Sequence, residues 1–328
     1  MTKKQIAKTK PAFVAISDIH FNIQNLELSS AALEAALAKA ASLEIPLIIA
    51  GDLNDTKAII RAEVANRLLQ ILENTNVDVS ILVGNHDLVN EKGQEHGLNY
   101  LGSYAHLISV PTYINPKLYL IPYQNDLSKI EGMLSGIPEG ATLVMHQGVK
   151  GAFMGDYVQD KTSIDVELLK DFNVISGHYH RHQTIGTLTY IGSPFTMSFG
   201  EANDGDKGFL VVNQDGTFTR EILNLRKHKI IEIDGELNDS YFSGLNPADL
   251  IWVKLRGNAE FLDTIKKVDV AKFVGNMNFK LDKIYGEKVK LEQDSTRTDE
   301  QVLDALIDAS KESTGQKDYL KKLWRELV

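Results

Sequence analysis

The chain has no cysteine in 328 residues, which excludes disulfides, thiolate metal sites and cysteine nucleophiles. Any metal site must therefore draw on imidazole, carboxylate or amide oxygen. No apolar run is long enough to span a bilayer. The first ten residues, Met1 to Lys10, are lysine-rich and hold no apolar segment, so no secretory signal is expected. Together these absences fit a protein of the reducing cytoplasm. Basic charge is also scarce: 35 Lys and Arg face 44 Asp and Glu, a net charge of −9. That argues against a surface that coats nucleic acid, but two divalent ions would reverse the sign of a local groove.

With 43% hydrophobic residues the chain can build one large domain and a smaller one. Short apolar runs recur, and each stops at metal-type ligands. Ala12 to Ser17 ends at Asp18-Ile19-His20, where alternation puts Asp18 and His20 on one side. An Ala- and Leu-rich helix is expected over Ser29 to Leu43, capped by Ser29 or Ser30 and stopped by Pro46. Leu47 to Ala50 leads into Gly51-Asp52-Leu53-Asn54-Asp55. A second helix, Lys57 to Glu73, returns the chain to Val79–Val83, which runs into Gly84-Asn85-His86-Asp87. Here Gly84 is expected to free the backbone to turn. Strands are also expected over His106 to Val110 and Lys117 to Ile121, with a short helix from about Asp126. Ala141 to Met145 then ends at His146, and Phe172 to Ser176 at Gly177-His178-Tyr179-His180.

Each of these ends alone reads as an ordinary turn or a structural histidine. Five strand ends with such residues do not, and in open α/β sheets that edge is where ligands bind. The donor types suit manganese, iron, magnesium or zinc. Two ions need a shared ligand, and a carboxylate can bridge metals about 3.5–4 Å apart. Asp52 is the candidate bridge. His86, one residue beyond Asn85, is placed to stay off the metal and act as an acid. His96, His106 and His228 lack a motif and read as surface or structural. Arg181 and His182 fit either a phosphate contact or a solvated loop, and Tyr123 and Phe153 are candidates to stack on bases.

This ordered set resembles the five-motif signature of calcineurin-like metallophosphoesterases. The resemblance covers roughly the first two hundred residues. It implies an α+β fold, an α/β/β/α sandwich of two mixed sheets flanked by helices, with two divalent ions at the strand ends. By that resemblance Asp18, His20 and His180 hold one ion, Asn85, His146 and His178 the other, and Asp52 bridges them. His86 corresponds to the catalytic histidine and Asp55 to the residue that orients it. Manganese is the preferred ion, with Mg2+, Fe2+ or Zn2+ as alternatives.

A second set, Tyr190-Ile191-Gly192-Ser193-Pro194, Ser198-Phe199-Gly200-Glu201 and Lys207-Gly208-Phe209, resembles the nuclease subunits of SbcCD-type double-strand-break repair complexes and phage recombination endonucleases. The same residues also read as a hairpin: a strand, a Gly-Ser-Pro turn and a return strand. Beyond Asn213, strands expected at Lys229 to Ile233, Leu250 to Leu255 and Lys288 to Leu291 make a second domain. Boundaries are expected at residues 1–228 for the nuclease domain, 229–296 for a capping, DNA-contacting domain and 297–328 for a helical segment. In that segment Val302, Leu303, Leu306 and Ile307, then Tyr319, Leu320, Leu323, Trp324 and Leu327, fall at helical spacing on either side of Ser313-Thr314-Gly315. Such a face either folds back on its own domain or meets a partner. The resemblance implies 3′ to 5′ exonuclease and single-strand endonuclease activity, DNA as substrate, an SbcC-like coiled-coil ATPase on the terminal helices, and a homodimer through the helix at Lys57 to Glu73. Two other readings keep the fold: a stand-alone metallophosphoesterase acting on nucleotides or phosphoproteins, and a non-catalytic scaffold.

Overall fold

The apolar runs form strands because their side chains alternate between two buried surfaces. In β1 (Pro11–Ile16), Val14 and Ile16 join one apolar cluster, while Phe13 and Ala15 join another. Burying each such large side chain contributes about 1.5–3 kcal/mol. The computed structural model describes residues 9–90, 95–156, 158–286, 303–304, 307–308, 310 and 314–327.

Strands β1, β2 (Leu47–Ile49), β3 (Val79–Leu82) and β4 (His106–Ile108) pair in parallel, and β11 (Gly208–Asn213) and β12 (Phe218–Ile222) extend them antiparallel. The order in this sheet is β12-β11-β1-β2-β3-β4. The second sheet runs β5-β6-β7-β8-β10-β9, built from β5 (Thr112–Asn115), β6 (Leu118–Ile121), β7 (Thr142–His146), β8 (Asn173–Gly177), β9 (Gln183–Ile185) and β10 (Leu188–Tyr190). Ala15, Ile48 and Leu82 of the first sheet meet Leu120, Val144 and Ile175 of the second in a common core. The outer face of the first sheet packs on α1 (Leu26–Leu43) and α2 (Ala62–Glu73). That of the second packs on α3 (Ile130–Leu134) and the loops around Leu169 and Phe172. This is the expected α+β sandwich of two mixed sheets. Within each sheet the central strands are parallel, so their carboxyl ends gather at one edge.

Local expectations needed correction in three places. Helix α1 starts at Leu26, with Asn25 before it, so Ser29 and Ser30 are buried inside the helix rather than capping it. Each has polar work there. Ser29 Oγ donates to the Ile19 carbonyl at 3.2 Å and Ser30 Oγ accepts from Arg67 Nε at 3.0 Å. Helix α2 starts at Ala62 instead of Lys57, because Arg61 is extended and Ala58 sits at φ 61°. The hairpin reading of the Gly192-Ser193-Pro194 turn also fails: β10 lies in the second sheet and the next strand, β11, in the first. The segment between them crosses from sheet to sheet.

The chain divides into two compact units, residues 1–229 with 246–250, and residues 230–245 with 251–328. In the second, β13 (His228–Asp234), β14 (Leu250–Gly257) and β15 (Asn278–Tyr285) form a three-stranded sheet. Its core joins Ile233, Val253 and Leu255 to Leu262 of α4 (Ala259–Thr264) and Val270 and Val274 of α5 (Lys267–Val274). A terminal helix, α6, spans Thr314–Leu327 and starts one residue before Gly315, inside the expected break. The expected strand at Lys288 to Leu291 and the residues Val302 and Leu306 lie outside the described residues, as do the side chains of Trp324 and Leu327. No helix among the described residues is long and apolar enough to cross a membrane.

Candidate metal centre

The candidate ligands stand on chain that leaves β1, β2, β3, β7 and β8. Past their last paired residues, the tails of β1 and β2 continue side by side: Asp18 N bonds to Gly51 O at 3.1 Å and His20 N to Asp52 O at 3.1 Å. Asp18, His20, Asp52 and His178 have φ of 52°, 48°, 51° and 101°. They are four of the six non-glycine residues with positive φ among those described. Such angles are costly for side-chain-bearing residues and persist where the surroundings impose them. Gly84 proves necessary for space, not for a left-handed turn. A Cβ there would lie 2.2 Å from Asp52 Oδ1 and 2.3 Å from Asp52 N.

All seven proposed ligands come together. Asn85 Oδ1 lies 3.0 Å from His146 Nε2 and 2.9 Å from His178 Nδ1. Asp52 Oδ2 is 3.3 Å from His146 Nε2 and 3.8 Å from His20 Nε2, and His20 Nε2 is 3.2 Å from His180 Nε2. Asp18 takes the His178 amide at 3.1 Å on Oδ1 and 3.2 Å on Oδ2. Two groups with ligand atoms within 4.8 Å of one another result: Asp18, His20 and His180, and Asp18, Asp52 and His146. A third group, His20, Asp55 and His86, adjoins them.

The far side of each ring shows what the near side needs. His146 Nδ1 donates to the Ala50 carbonyl at 2.7 Å. In neutral His146 that leaves a lone pair on Nε2 facing the oxygens of Asp52 and Asn85, a repulsive arrangement that only a proton or a cation relieves. His180 Nδ1 donates to Glu201 Oε1 at 2.8 Å, which in neutral His180 leaves the Nε2 lone pair facing His20 Nε2 at 3.2 Å. His20 Nδ1 is buried without an aligned hydrogen-bond partner, although Asp55 Oδ1 is 3.3 Å away. This sulfur-free set of imidazole, carboxylate and amide oxygen fits divalent cations.

Charge in the centre agrees with that. Burial works against ionisation of Asp52, but His146, His20 and His86 outweigh it and hold its pKa far below the usual carboxylate range. Burial likewise opposes charge on His146, yet Asp52 and Asp18 push it up to about 9. Burial and the neighbouring charge of His146 bring His178 down to about 4, which keeps it a neutral ligand at pH 7. Asp87, buried beside Asp52, is pushed up, first by burial and then by that charge. The Gly84-Asn85-His86-Asp87 pattern by itself gives no role to Asp87. Its Oδ2 accepts from Gly84 N at 2.9 Å and its Oδ1 from Asn54 N at 3.1 Å, tying the Asn85-His86 loop to the β2 tail.

His86 is oriented differently from expectation. Its Nδ1 donates to the main-chain carbonyl of Asp55 at 2.9 Å, and its amide to Asp52 Oδ1 at 2.8 Å. The Asp55 carboxylate instead faces His20 and accepts from Asn22 Nδ2 at 3.2 Å. Tyr123, a candidate base platform, lies stacked on His178 with ring centroids 5.9 Å apart. Phe153 is covered by the Arg181 guanidinium, 5.4 Å from its ring centre. A cleft of about 410 Å3 runs past His178 and His180 and is lined also by Met154, Arg181 and Ser198. Of the remaining histidines, His228 is buried against Thr196 and exposed His106 lies 3.1 Å from Asp78. His182 donates to the Tyr190 carbonyl at 2.8 Å, a structural role.

A two-sheet sandwich with a buried histidine and aspartate cluster at its strand ends defines a metal-dependent hydrolase. The sequence pattern of the Calcineurin-like phosphoesterase family matches residues 11–207, and the chain belongs to that family. Exonuclease subunit 1 of Enterobacteria phage T4 is 25% identical over 194 residues, 53% of this chain and 54% of that protein. The chain thus matches about half the length of that relative. The 244L protein of Invertebrate iridescent virus 6, provisionally named a phosphoesterase, is 24% identical over 285 residues, 77% of this chain and 96% of that protein.

Proposed function

We propose that the chain is a two-metal DNA phosphodiesterase, the nuclease half of a recombination and repair complex, with manganese as its activating ion. The observation that carries this reading is the close gathering of imidazole nitrogens and oxygens around Asp52, with His86 at its edge against His20. Asp18, His20 and His180 would hold one ion and Asn85, His146 and His178 the other, with Asp52 shared between them. Divalent ions held there would supply Lewis-acid polarisation of the phosphoryl oxygens and an activated water.

The chain's own residues supply the rest. With Nδ1–H committed to the Asp55 carbonyl, His86 carries a proton on Nε2 only as the imidazolium. In that form it stabilises charge at phosphorus and passes its proton to the leaving oxygen. Asp87 fixes the loop that carries it. Arg181, which has no carboxylate partner among the described residues, is available to a phosphate in the same cleft as His178 and His180.

DNA as substrate is supported by the similarity to an exonuclease subunit and by the presence of a second folded unit. That unit is the proposed capping domain. On α6, Tyr319, Leu320 and Leu323 are exposed, which favours a partner over folding back and fits an SbcC-like ATPase. Helix α2 is the proposed homodimer contact, and the cytoplasm the proposed location. The relative from the iridescent virus keeps a stand-alone phosphoesterase as the second reading.

The test is degradation of end-labelled linear DNA with Mn2+, with and without an SbcC-like ATPase, comparing the intact chain with one ending before Asp299. Cleavage that the ATPase stimulates only when the tail is present supports the reading. Hydrolysis restricted to nucleotides or phosphoproteins, unchanged by the tail, favours the stand-alone enzyme.

A further inference from the structure

The Ser193-to-Lys207 segment carries the second sequence signature, and the proposed chemistry gives it no task. In the fold it crosses between the sheets directly behind His180. Glu201 is its centre. Oε1 accepts from His180 Nδ1 at 2.8 Å, and Oε2 accepts from Met197 N at 3.1 Å and Ser193 Oγ at 3.4 Å and pairs with Lys207 Nζ at 3.2 Å. Lys207 is 1% exposed, unusual for a lysine. Its Nζ donates to the His180 carbonyl at 2.8 Å, to Ser193 Oγ at 3.0 Å and to Asp204 Oδ2 at 2.9 Å. The half-buried carboxylate thus holds His180 by its ring and the buried lysine by its main chain.

From this we infer that Glu201 is a positioning residue for one of the two metal sites, with Lys207 fixing Glu201. By accepting from Nδ1, Glu201 makes the Nδ1–H tautomer of His180 the stable one and leaves the Nε2 lone pair aimed at His20, the form a metal requires. Among the described residues no carboxylate hydrogen-bonds the far side of a ring at the other site. His146 is held by a main-chain carbonyl and His178 by the face of Tyr123. The role of Glu201 is therefore confined to the Asp18, His20 and His180 site.

The inference rests on the two-metal reading, and its test separates the two. The metal-free full chain is titrated with Mn2+ by calorimetry, for the parent, Glu201→Ala and Glu201→Gln. The Gln variant keeps the volume but turns amide hydrogens toward Met197 N and Lys207. Melting of each metal-free protein is measured alongside. The parent should show two binding events. In Glu201→Ala one event should weaken by about 10- to 100-fold while the other is unchanged, and Glu201→Gln should weaken the same event less. Nitrogen NMR of the metal-free chain should find His180 as the Nδ1–H tautomer in the parent and mixed in Glu201→Ala. Two parent events left unaltered in both variants, or lowered by one common factor, would overturn the role of Glu201 alone. A parent that takes up no manganese would overturn the metal-centre reading and this inference with it.

Discussion

Replacing Gly84 by alanine tests how closely the β3 loop is pressed on the proposed bridging carboxylate. The added Cβ would sit 2.2 Å from Asp52 Oδ1 and 2.3 Å from Asp52 N, where ordinary contact begins at 3.4 Å. Asp52 N is main chain, and Oδ1 is buried and held by the His86 amide, so the loop and Asp52 must separate by roughly 1 Å, which overpacking data put at about 1–3 kcal/mol of stability. The same shift pulls the His86 amide away from Asp52 Oδ1, now at 2.8 Å. A misplacement of about 1 Å at reacting groups costs on the order of 100-fold in rate. The assay is urea unfolding with and without Mn2+, together with hydrolysis of a phosphodiester. Gly132→Ala is the control: it lies within α3, no atom stands within 4 Å of its would-be Cβ, and alanine should stabilise by about 0.5–1 kcal/mol. If Gly84→Ala matches the parent in both stability and rate, the close approach is wrong.

Further outcomes follow from the same geometry. His86→Ala should lower the rate by about 100- to 10,000-fold and leave metal content unchanged, which elemental analysis of the same samples checks. Asp55→Ala should cost far less, on the order of 10-fold, because the main-chain carbonyl that holds His86 remains; equal losses in the two variants would restore the carboxylate to the orienting role. Asp160 takes Thr162 N at 2.8 Å, Ser163 N at 3.1 Å and the Tyr179 hydroxyl at 2.6 Å. Burial raises its pKa, but hydrogen bonds from Ser163, Tyr179 and Thr162 outweigh that and hold it at about 2, below the ordinary 3.8. A depressed carboxylate stabilises above its unfolded pKa and loses that contribution as pH falls through the folded one. Asp160→Asn should therefore be less stable than the parent by on the order of 1 kcal/mol at pH 7, and the gap should close between about pH 4 and pH 2, as read from chemical unfolding.

Much of this architecture was legible because both sheets are buried on both faces, so the strands appear as short apolar runs that stop abruptly at Asp18, Asp52, Asn85, His146 and His178. Side-chain type then announces metal chemistry at each stop. What pattern could not convey was anything set by a distant backbone. The anchor of His86 is the carbonyl of Asp55, and a carbonyl has no letter in the sequence. Gly84 is required by the approach of Asp52, 32 positions away in the chain. Ser29 and Ser30 looked like caps because such residues favour helix starts, but the structure uses their hydroxyls to reach Ile19 and Arg67. The Gly192-Ser193-Pro194 turn resembled half a hairpin, since local turn chemistry is silent on which sheet the next strand joins. Glu201 belongs to the Ser198-Phe199-Gly200-Glu201 motif, but a motif does not name the residue it holds. Its partner His180 is 21 residues earlier, and only the fold brings them to 2.8 Å.

The central claim is that these strand ends hold two divalent ions about one carboxylate. Anomalous diffraction at the manganese edge, from crystals grown with Mn2+, tests it most directly. Two peaks flanking Asp52 are predicted, one against His20 and His180, the other against Asn85, His146 and His178. A single peak, or peaks away from Asp52, would contradict the account.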